Sequence, residues 1–391
     1  MRILMVTTSY PRWQGDAAGA FVHSLAVGLV GAGNHVEVIA PASAGAATTM
    51  VMDGVQVSRV GRGKGTMAGE PGGIIPGLYR APWRLVPLAL ALYEMNRLVL
   101  QRAAECDVVH GHWAFPGGLI ATRAAARNRR AVVVTIHGSD INLPLQHRIL
   151  RPLLRAALKS ATAILAVSEA MMNGAIAMGV PPARVSLVRL GVTDYGMVKA
   201  EPRNPVGPTR FLFIGSLTRN KGVDVLIEAF AKAASSGEMS LRMVGDGPLR
   251  GEVEKAIDAH GLRAAIEMVG LVPPTELHQQ FGMADVLVLP SRSEGLGLVC
   301  VEAMMAGLPV LVSDIPGPRE VVEDRVTGML VPAGDLDALA DSMRELVRNP
   351  AMRVAMGRAG RIRAEAMDLT IAGSVNRHLQ AYDAAIQDTS S

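Results

Sequence analysis

The chain has 391 residues, 49% of them apolar and 19% charged, with 41 glycines and 4% aromatics. This length exceeds what one hydrophobic core serves and this apolar content excludes a disordered chain, so two well-buried domains of a soluble enzyme are expected. The net charge of +4 is the sum of +10 over residues 1 to 205 (21 Lys+Arg, 11 Asp+Glu) and −6 over the other 186 (18 and 24); with few aromatics and no nucleic-acid-binding motif, nucleic acid is not the expected partner of the basic half, whereas anionic lipid or a phosphorylated acceptor is.

MRILMVTTSY opens the chain as a buried strand. It is too short for a secretory hydrophobic region and runs into Pro11, Arg12 and Trp13 with no small-residue cleavage site. HVEVIAP, DVVHGH, AVVVTIHG and AILAVS follow in the first half; RFLFIGSL, LRMVGDG, IEMVG, DVLVLPS and PVLVSD follow in the second. Short aliphatic runs alternating with helical patterns predict an α/β chain of two doubly wound parallel-sheet, Rossmann-like domains. VKAEPRNPVGPT carries three prolines and reads as a linker over 198–209, separating domains at 1–197 and 210–365; a helical tail over 366–391 would cross back to the first. Two such domains would face a cleft lined by the carboxyl ends of their strands, where the site is expected. The two cysteines, Cys106 and Cys300, have no metal-ligand spacing and read as reduced thiols of a cytoplasmic protein. No stretch reaches the roughly 18 apolar residues of a membrane span.

Several short stretches carry competing readings. GRGKGT at 61–66 lacks phosphate-loop spacing and reads as a basic surface loop. GDGP at 245–248 follows a strand and is either an ordinary turn or the border of a nucleotide site. DLD at 335–337 precedes a helical pattern, which favours helix capping over metal binding. SEGLGLVCVEAMMAGLPVLVS places Glu294 and Glu302 eight positions apart around a loop and a helix start, where Gly295 and Gly297 leave backbone amides uncrowded for an anion. The two acids either contact hydroxyls at both ends of a long ligand, or one caps the helix and the other pairs with an arginine.

The order FIGSLTRNKGVDVLIEAF, VGDGP, MVGLVPPTEL, ADVLVLPSRSEGLGLVCVEAMMAGLPVLVSD and VTGMLVPAGD resembles the carboxyl-terminal domain of the family-4 retaining glycosyltransferases of GT-B fold. GHWAFP, VTIHGSDI, AVSEAM and RLGVTDYGM resemble landmarks of the family's first domain, so the likeness spans nearly the whole chain. It implies transfer of a hexose from a UDP- or GDP-sugar to a glycan, lipid-linked or envelope acceptor, with no cofactor and no metal. By the same likeness Glu302 would bind the ribose, Glu294 would contact the donor sugar, and Lys221 would neutralise the leaving diphosphate. Where many members carry arginine after the glycine this chain has Ser216, and Arg219 is the substitute cation. His137 and Asp140 match the histidine-glycine-x-aspartate motif and would reach the donor sugar. Gly245, Gly270 and Leu271 would border the nucleobase, and Gly295, Leu296 and Gly297 the phosphates. Of the paired glycines usual after the first strand only Gly15 and Gly19 are offered, with Gly19 the candidate contact.

Residues 74–105 interleave Arg80, Arg84, Arg97 and Arg102 with Tyr79, Trp83, Tyr93 and aliphatic residues. Such a stretch would either rest on the anionic inner face of the cell membrane or form a core helix with a solvated rim.

Overall fold

The computed structural model describes residues 1–61, 85–138, 151–194, 207–234 and 237–390. The chain divides into two compact units, Met1–Gly191 with Ile371–Ser391, and Val192–Thr370. The boundary therefore falls a few residues before the proline-rich stretch, and the last helix, Ile371–Ser390, belongs with the first unit. That helix lies against helix Ala20–Gly31: a Cβ at Gly28 would stand 2.6 Å from a Val375 methyl, so a glycine there permits the approach.

The first unit holds strands β1 (Arg2–Val6), β2 (His35–Pro41), β3 (Thr49–Met52), β4 (Val55–Val60), β5 (Val108–His112), β6 (Ala131–Ile136), β7 (Ala163–Ala166) and β8 (Val185–Leu187). They lie in the order β3-β4-β2-β1-β5-β6-β7-β8. All pair in parallel except β3, which is antiparallel to β4 across Asp53 and Gly54. Both turn residues have positive φ (49° and 81°), as a tight hairpin turn requires. The expectation of a wholly parallel sheet is corrected at this edge.

The second unit holds β9 (Thr209–Ile214), β10 (Met239–Val244), β11 (Ile266–Gly270), β12 (Val286–Leu289), β13 (Val310–Ser313) and β14 (Gly328–Val331), in the order β11-β10-β9-β12-β13-β14 and all parallel. Its central strands are covered on both faces, so Phe211, Leu212 and Phe213 are all fully buried although they alternate in direction. Helix Val223–Ala233 adds Leu226, Ile227 and Phe230 to the same core. Burying each such side chain contributes about 1.5–3 kcal/mol, which is why these strands read as unbroken aliphatic runs.

The order in which strands are added to the sheet reverses once in each unit. In the second unit β9 leads to β10 and β11 on one side and β12 to β14 on the other, so the loops leaving β9 and β12 diverge at the carboxyl edge. In the first unit β1 and β5 stand in the same relation. Such switch points leave a crevice that a ligand can enter.

Candidate active site

The loop leaving β9 passes through a short 3-10 turn, Arg219–Lys221, to Gly222, which starts helix Val223–Ala233 with φ of 68°. A Cβ at Gly222 would stand 1.9 Å from the Pro290 carbonyl oxygen, so only glycine lets this loop lie against the loop leaving β12. The contact brings Lys221 and Glu294 together across the switch point, Nζ to Oε1 at 2.5 Å. Ser291 Oγ donates to the same carboxylate oxygen at 2.7 Å. Around the pair, Asn220 Nδ2 donates to the Ser293 carbonyl (3.0 Å), the Arg292 amide donates to the Asn220 carbonyl (2.7 Å), and the Arg292 guanidinium forks onto Asp224 (2.8 and 2.9 Å). Lys221 and Glu294 are 24% and 10% exposed, so their mutual attraction is less screened than that of a surface pair.

The capping alternative for the two glutamates does not describe this geometry. Helix Leu298–Met305 starts at Gly297, with φ of 85° and no side-chain cap. Glu294 is engaged by Lys221 and Ser291 instead. Glu302, within that helix, has no ion-pair partner among the described residues, and burial pushes its carboxyl up to about 7.

The remaining loops close in by the same glycine logic. Gly245 has φ of 135°, and a Cβ there would meet the Gly215 carbonyl oxygen at 1.9 Å. Its amide donates to the Gly270 carbonyl (2.8 Å), and the Leu217 amide to the Asp246 carbonyl (3.0 Å), joining the loops after β9, β10 and β11. Ser216 lies within the first of these loops; Leu271 follows β11 and is 70% exposed. Gly295 packs against helix Pro316–Val321, its carbonyl oxygen 2.7 Å from where a Cβ on Gly317 would sit. Leu296 points into the core, 3% exposed, so it can offer a ligand only its backbone.

Two expectations change. Arg219 does not join Lys221: its guanidinium faces Glu252 at 3.6 Å and both side chains are largely exposed. Lys221 is the cation that the fold brings to Glu294. Asp335 caps helix Leu336–Arg348 by accepting from the Ala338 amide at 2.9 Å, and Asp337 pairs with Lys232. Most of GRGKGT and the whole of Asp140 lie outside the described residues.

In the first unit Gly19 starts helix Ala20–Gly31 with φ of 66°, and a Cβ there would stand 2.3 Å from the Ser9 carbonyl oxygen. His137 directly follows β6. Its ring lies between Phe21 (centroids 5.1 Å apart) and Trp113 (4.8 Å), and its Nε2 meets His112 Nδ1 at 3.1 Å. Trp113 adopts φ of 61°, a strained conformation for a side-chain-bearing residue, as it turns off the end of β5. Sequence reading passed over His112, Trp113, Ser291 and Asn220. His112 and Trp113 stood within GHWAFP, read as a family landmark without a role for either side chain, and the alternation His110, Gly111, His112 puts two histidines on one face of a strand.

Comparison with known proteins agrees with this architecture. Residues 16–191 match the family model described as Glycosyl transferase 4-like domain, and residues 198–363 the model Glycosyl transferases group 1. Glycogen synthase of Mycobacterium tuberculosis is 28% identical over 383 residues, 93% of this chain and 90% of that protein. The amylovoran biosynthesis glycosyltransferase AmsK of Erwinia amylovora is 29% identical over 271 residues, 66% of each. Anabaena HepE, solved in complex with UDP, superposes with a TM-score of 0.73 at 18% identity, over 98% of this chain and all of that one.

Proposed function

Because the chain belongs to the glycosyltransferases of GT-B fold, we propose that it moves a hexose, with retention of configuration, from a nucleotide-diphosphate sugar to a hydroxyl of a glycan, lipid-linked or envelope acceptor. The observation that carries this is the Lys221–Glu294 pair at 2.5 Å on the switch point of the second unit, with Glu302 following on the adjoining helix. UDP in the complex of HepE and the polysaccharide named for AmsK support a nucleotide-sugar donor and a glycan product.

The roles follow from where charge moves. Breaking the sugar–phosphate bond leaves positive charge on the anomeric carbon and negative charge on the diphosphate. Lys221 is the cation for that diphosphate, and the Gly297 end of the helix adds its backbone amides. Glu294 holds the ammonium in place in the free enzyme and contacts the sugar in the complex; Glu302 accepts from the ribose hydroxyls. The acceptor attacks from the face that the diphosphate leaves, and a phosphate oxygen takes its proton. Incubation with a panel of labelled UDP- and GDP-sugars, with and without glycan acceptors, tests the reading: nucleoside diphosphate should form only with acceptor. Interconversion of the donor to an isomer with no acceptor would mark an epimerase, and no turnover of any donor would mark a sugar-binding subunit.

Lys221 and the backbone amides at the Gly297 helix end serve the phosphates in this scheme, so a metal is not needed. Rates should be unchanged in excess chelator; loss of activity that magnesium or manganese restores would overturn this part of the proposal.

An acceptor on a membrane is favoured by one further feature. Helix Leu85–Arg102 buries Leu88, Ala91, Met95 and Val99 and exposes Leu85, Val86, Leu90 and Tyr93, between 59% and 67% each. No helix among the described residues is long and apolar enough to cross a membrane, so contact would be peripheral. Of the four arginines, Arg80 and Arg84 lie outside the described residues, Arg97 is exposed and Arg102 faces Glu37 at 3.4 Å. Each arginine near an anionic surface contributes roughly 1 kcal/mol, so sedimentation with anionic vesicles should be measurable at low salt and lost at high salt. Protein left in the supernatant at low salt would point to a soluble acceptor.

A further inference from the structure

The first unit buries a cation that no carboxylate neutralises. Arg59 lies near the carboxyl end of β4 and is 6% exposed, its amide donating to the Thr48 carbonyl at 2.7 Å. The loop leaving β1 reaches across β2 to meet it, and Arg59 Nη2 donates to the Pro11 carbonyl. Among the described residues the guanidinium has no other acceptor. Its Nε is buried without a partner, whereas Nη1, which bonds to no described residue either, is not sealed from solvent.

The groups whose charge acts on Arg59 are Arg12, Asp16 and the buried phenol of Tyr10, all in the loop leaving β1. Asp16, 8% exposed, is already claimed: the Arg12 guanidinium forks onto it at 2.7 and 2.9 Å, and the Arg12 amide adds a bond at 2.9 Å. Two guanidinium groups therefore share one carboxylate, and the cluster keeps a net positive charge. Asp53 does not balance it. That carboxylate is engaged nearer the surface by His23 Nε2 at 2.9 Å and Gln14 Nε2 at 3.0 Å, while His23 Nδ1 bonds the Tyr10 hydroxyl at 2.7 Å. Burial disfavours the Arg59 charge and lowers its pKa, and a buried charge without a counter-ion is costly enough that folded proteins ordinarily pair it. A second unmatched group stands on the same edge. Ser43, in the loop leaving β2, has its Oγ buried without a partner, and that loop starts beside β4, where the Ala42 amide donates to the Val60 carbonyl at 2.7 Å.

We propose that Arg59 is the centre of an oxyanion subsite at the carboxyl edge of the first unit's sheet, which takes a phosphate or carboxylate group carried by the acceptor. A guanidinium presents paired N–H donors in a fork that matches the oxygens of either group. An anion entering at Nη1 neutralises the charge that Asp16, held by Arg12, leaves over. The excess of 21 Lys+Arg over 11 Asp+Glu in residues 1 to 205 draws anions to this half of the chain. The subsite is a property of the first unit alone; that its anion belongs to the acceptor rests on the transferase reading.

The test uses the full chain with inorganic phosphate as the probe, read as melting temperature in phosphate against chloride at equal ionic strength. Phosphate should stabilise the wild type by mass action, and Arg59→Met should remove part of that rise, any share due to a phosphate site on the second unit remaining. In chloride Arg59→Met should be at least as stable as the wild type, because it removes an unpaired buried charge. A variant that is less stable in chloride and keeps the full phosphate response shows that Arg59 only props up the Pro11 loop, and overturns the subsite. Arg59→Lys, which keeps the charge without the fork, should bind phosphate about tenfold more weakly or worse, the scale of one charge-assisted hydrogen bond; equal affinity overturns the proposal even if Arg59→Met does not fold. The acceptor assignment is tested with a neutral glycan, its phosphorylated form and its uronic acid form. One acidic form should exceed the neutral one in kcat/KM by about tenfold or more, and Arg59→Met should abolish that preference with the donor KM unchanged; equal kcat/KM for all three overturns the assignment. If the phosphate response depends on Arg59 and no nucleotide sugar is turned over with any acceptor, the subsite stands and the transferase reading fails.

Discussion

Replacing Lys221 with alanine is expected to lower turnover by on the order of a hundredfold or more while leaving donor affinity less affected. One charge-stabilising contact aimed at charge that develops in the transition state is typically worth about 3 to 4 kcal/mol. In the proposed reaction Lys221 would meet that description, because Glu294, held by Ser291, fixes its ammonium before any donor binds, so little reorganisation would be required. Arg219 cannot substitute: its side chain is engaged at the surface with Glu252. Arg219→Ala should therefore cost far less than Lys221→Ala. Single-turnover rates on a saturating donor measure the comparison directly, and near-wild-type turnover in Lys221→Ala would remove the lysine from the mechanism.

The second large effect concerns Glu302. Its folded-state pKa of about 7 lies above the ordinary 4.5, because burial disfavours the carboxylate. The sign of the stability effect follows from proton counting. Between those two values the folded chain holds a proton that the unfolded chain has lost, so stability is full below the lower value and declines as pH rises through the higher one. Above pH 7 the free protein carries an ionised, unpaired Glu302 at a cost that Glu302→Gln should relieve, raising thermal stability in the alkaline range. Donor binding should change in the opposite direction. A carboxylate accepting two ribose hydroxyls makes two charge-assisted hydrogen bonds of about 1.5–3 kcal/mol each, so Glu302→Ala should weaken donor affinity by roughly a hundredfold or more. Wild-type affinity should rise with pH through the region near 7, where the carboxylate forms, and that dependence should vanish in Glu302→Gln. Calorimetric titration of UDP against wild type and variant at several pH values decides it; parallel pH profiles would show that Glu302 is not the titrating group.

Much of this arrangement was legible in the order of residues. Strands buried on both faces must be apolar throughout, so RFLFIG, DVLVLP and PVLVSD announce themselves without a partner being known, and parallel pairing follows from the helices between them. Glu294 and Glu302 stood out beside two glycines at a strand end with a capping reading still open, whereas Lys221 was singled out only by the family likeness, since a lysine in a loop is by itself usually solvated. The antiparallel β3 was legible in principle from Asp53-Gly54, a turn dipeptide between two alternating runs, although the search for buried parallel strands passed over it.

What no local pattern contains is which distant groups meet. Lys221 and Glu294 are 73 positions apart, and their ion pair exists because Gly222 has no side chain to hold the Pro290 carbonyl away. Arg219 and Lys221 look alike in sequence, yet a turn of two residues sends one to the surface and the other to the carboxylate. The buried stack of His110, His112 and Tyr382 is the extreme case: Tyr382 reaches His110 across 272 residues. The sequence by itself determined the two sheets and the side chains offered at their ends, since burial and backbone conformation act residue by residue. Only the tertiary structure decided which offered charges neutralise one another and which buried rings stack, because those depend on contacts that form when the chain closes on itself.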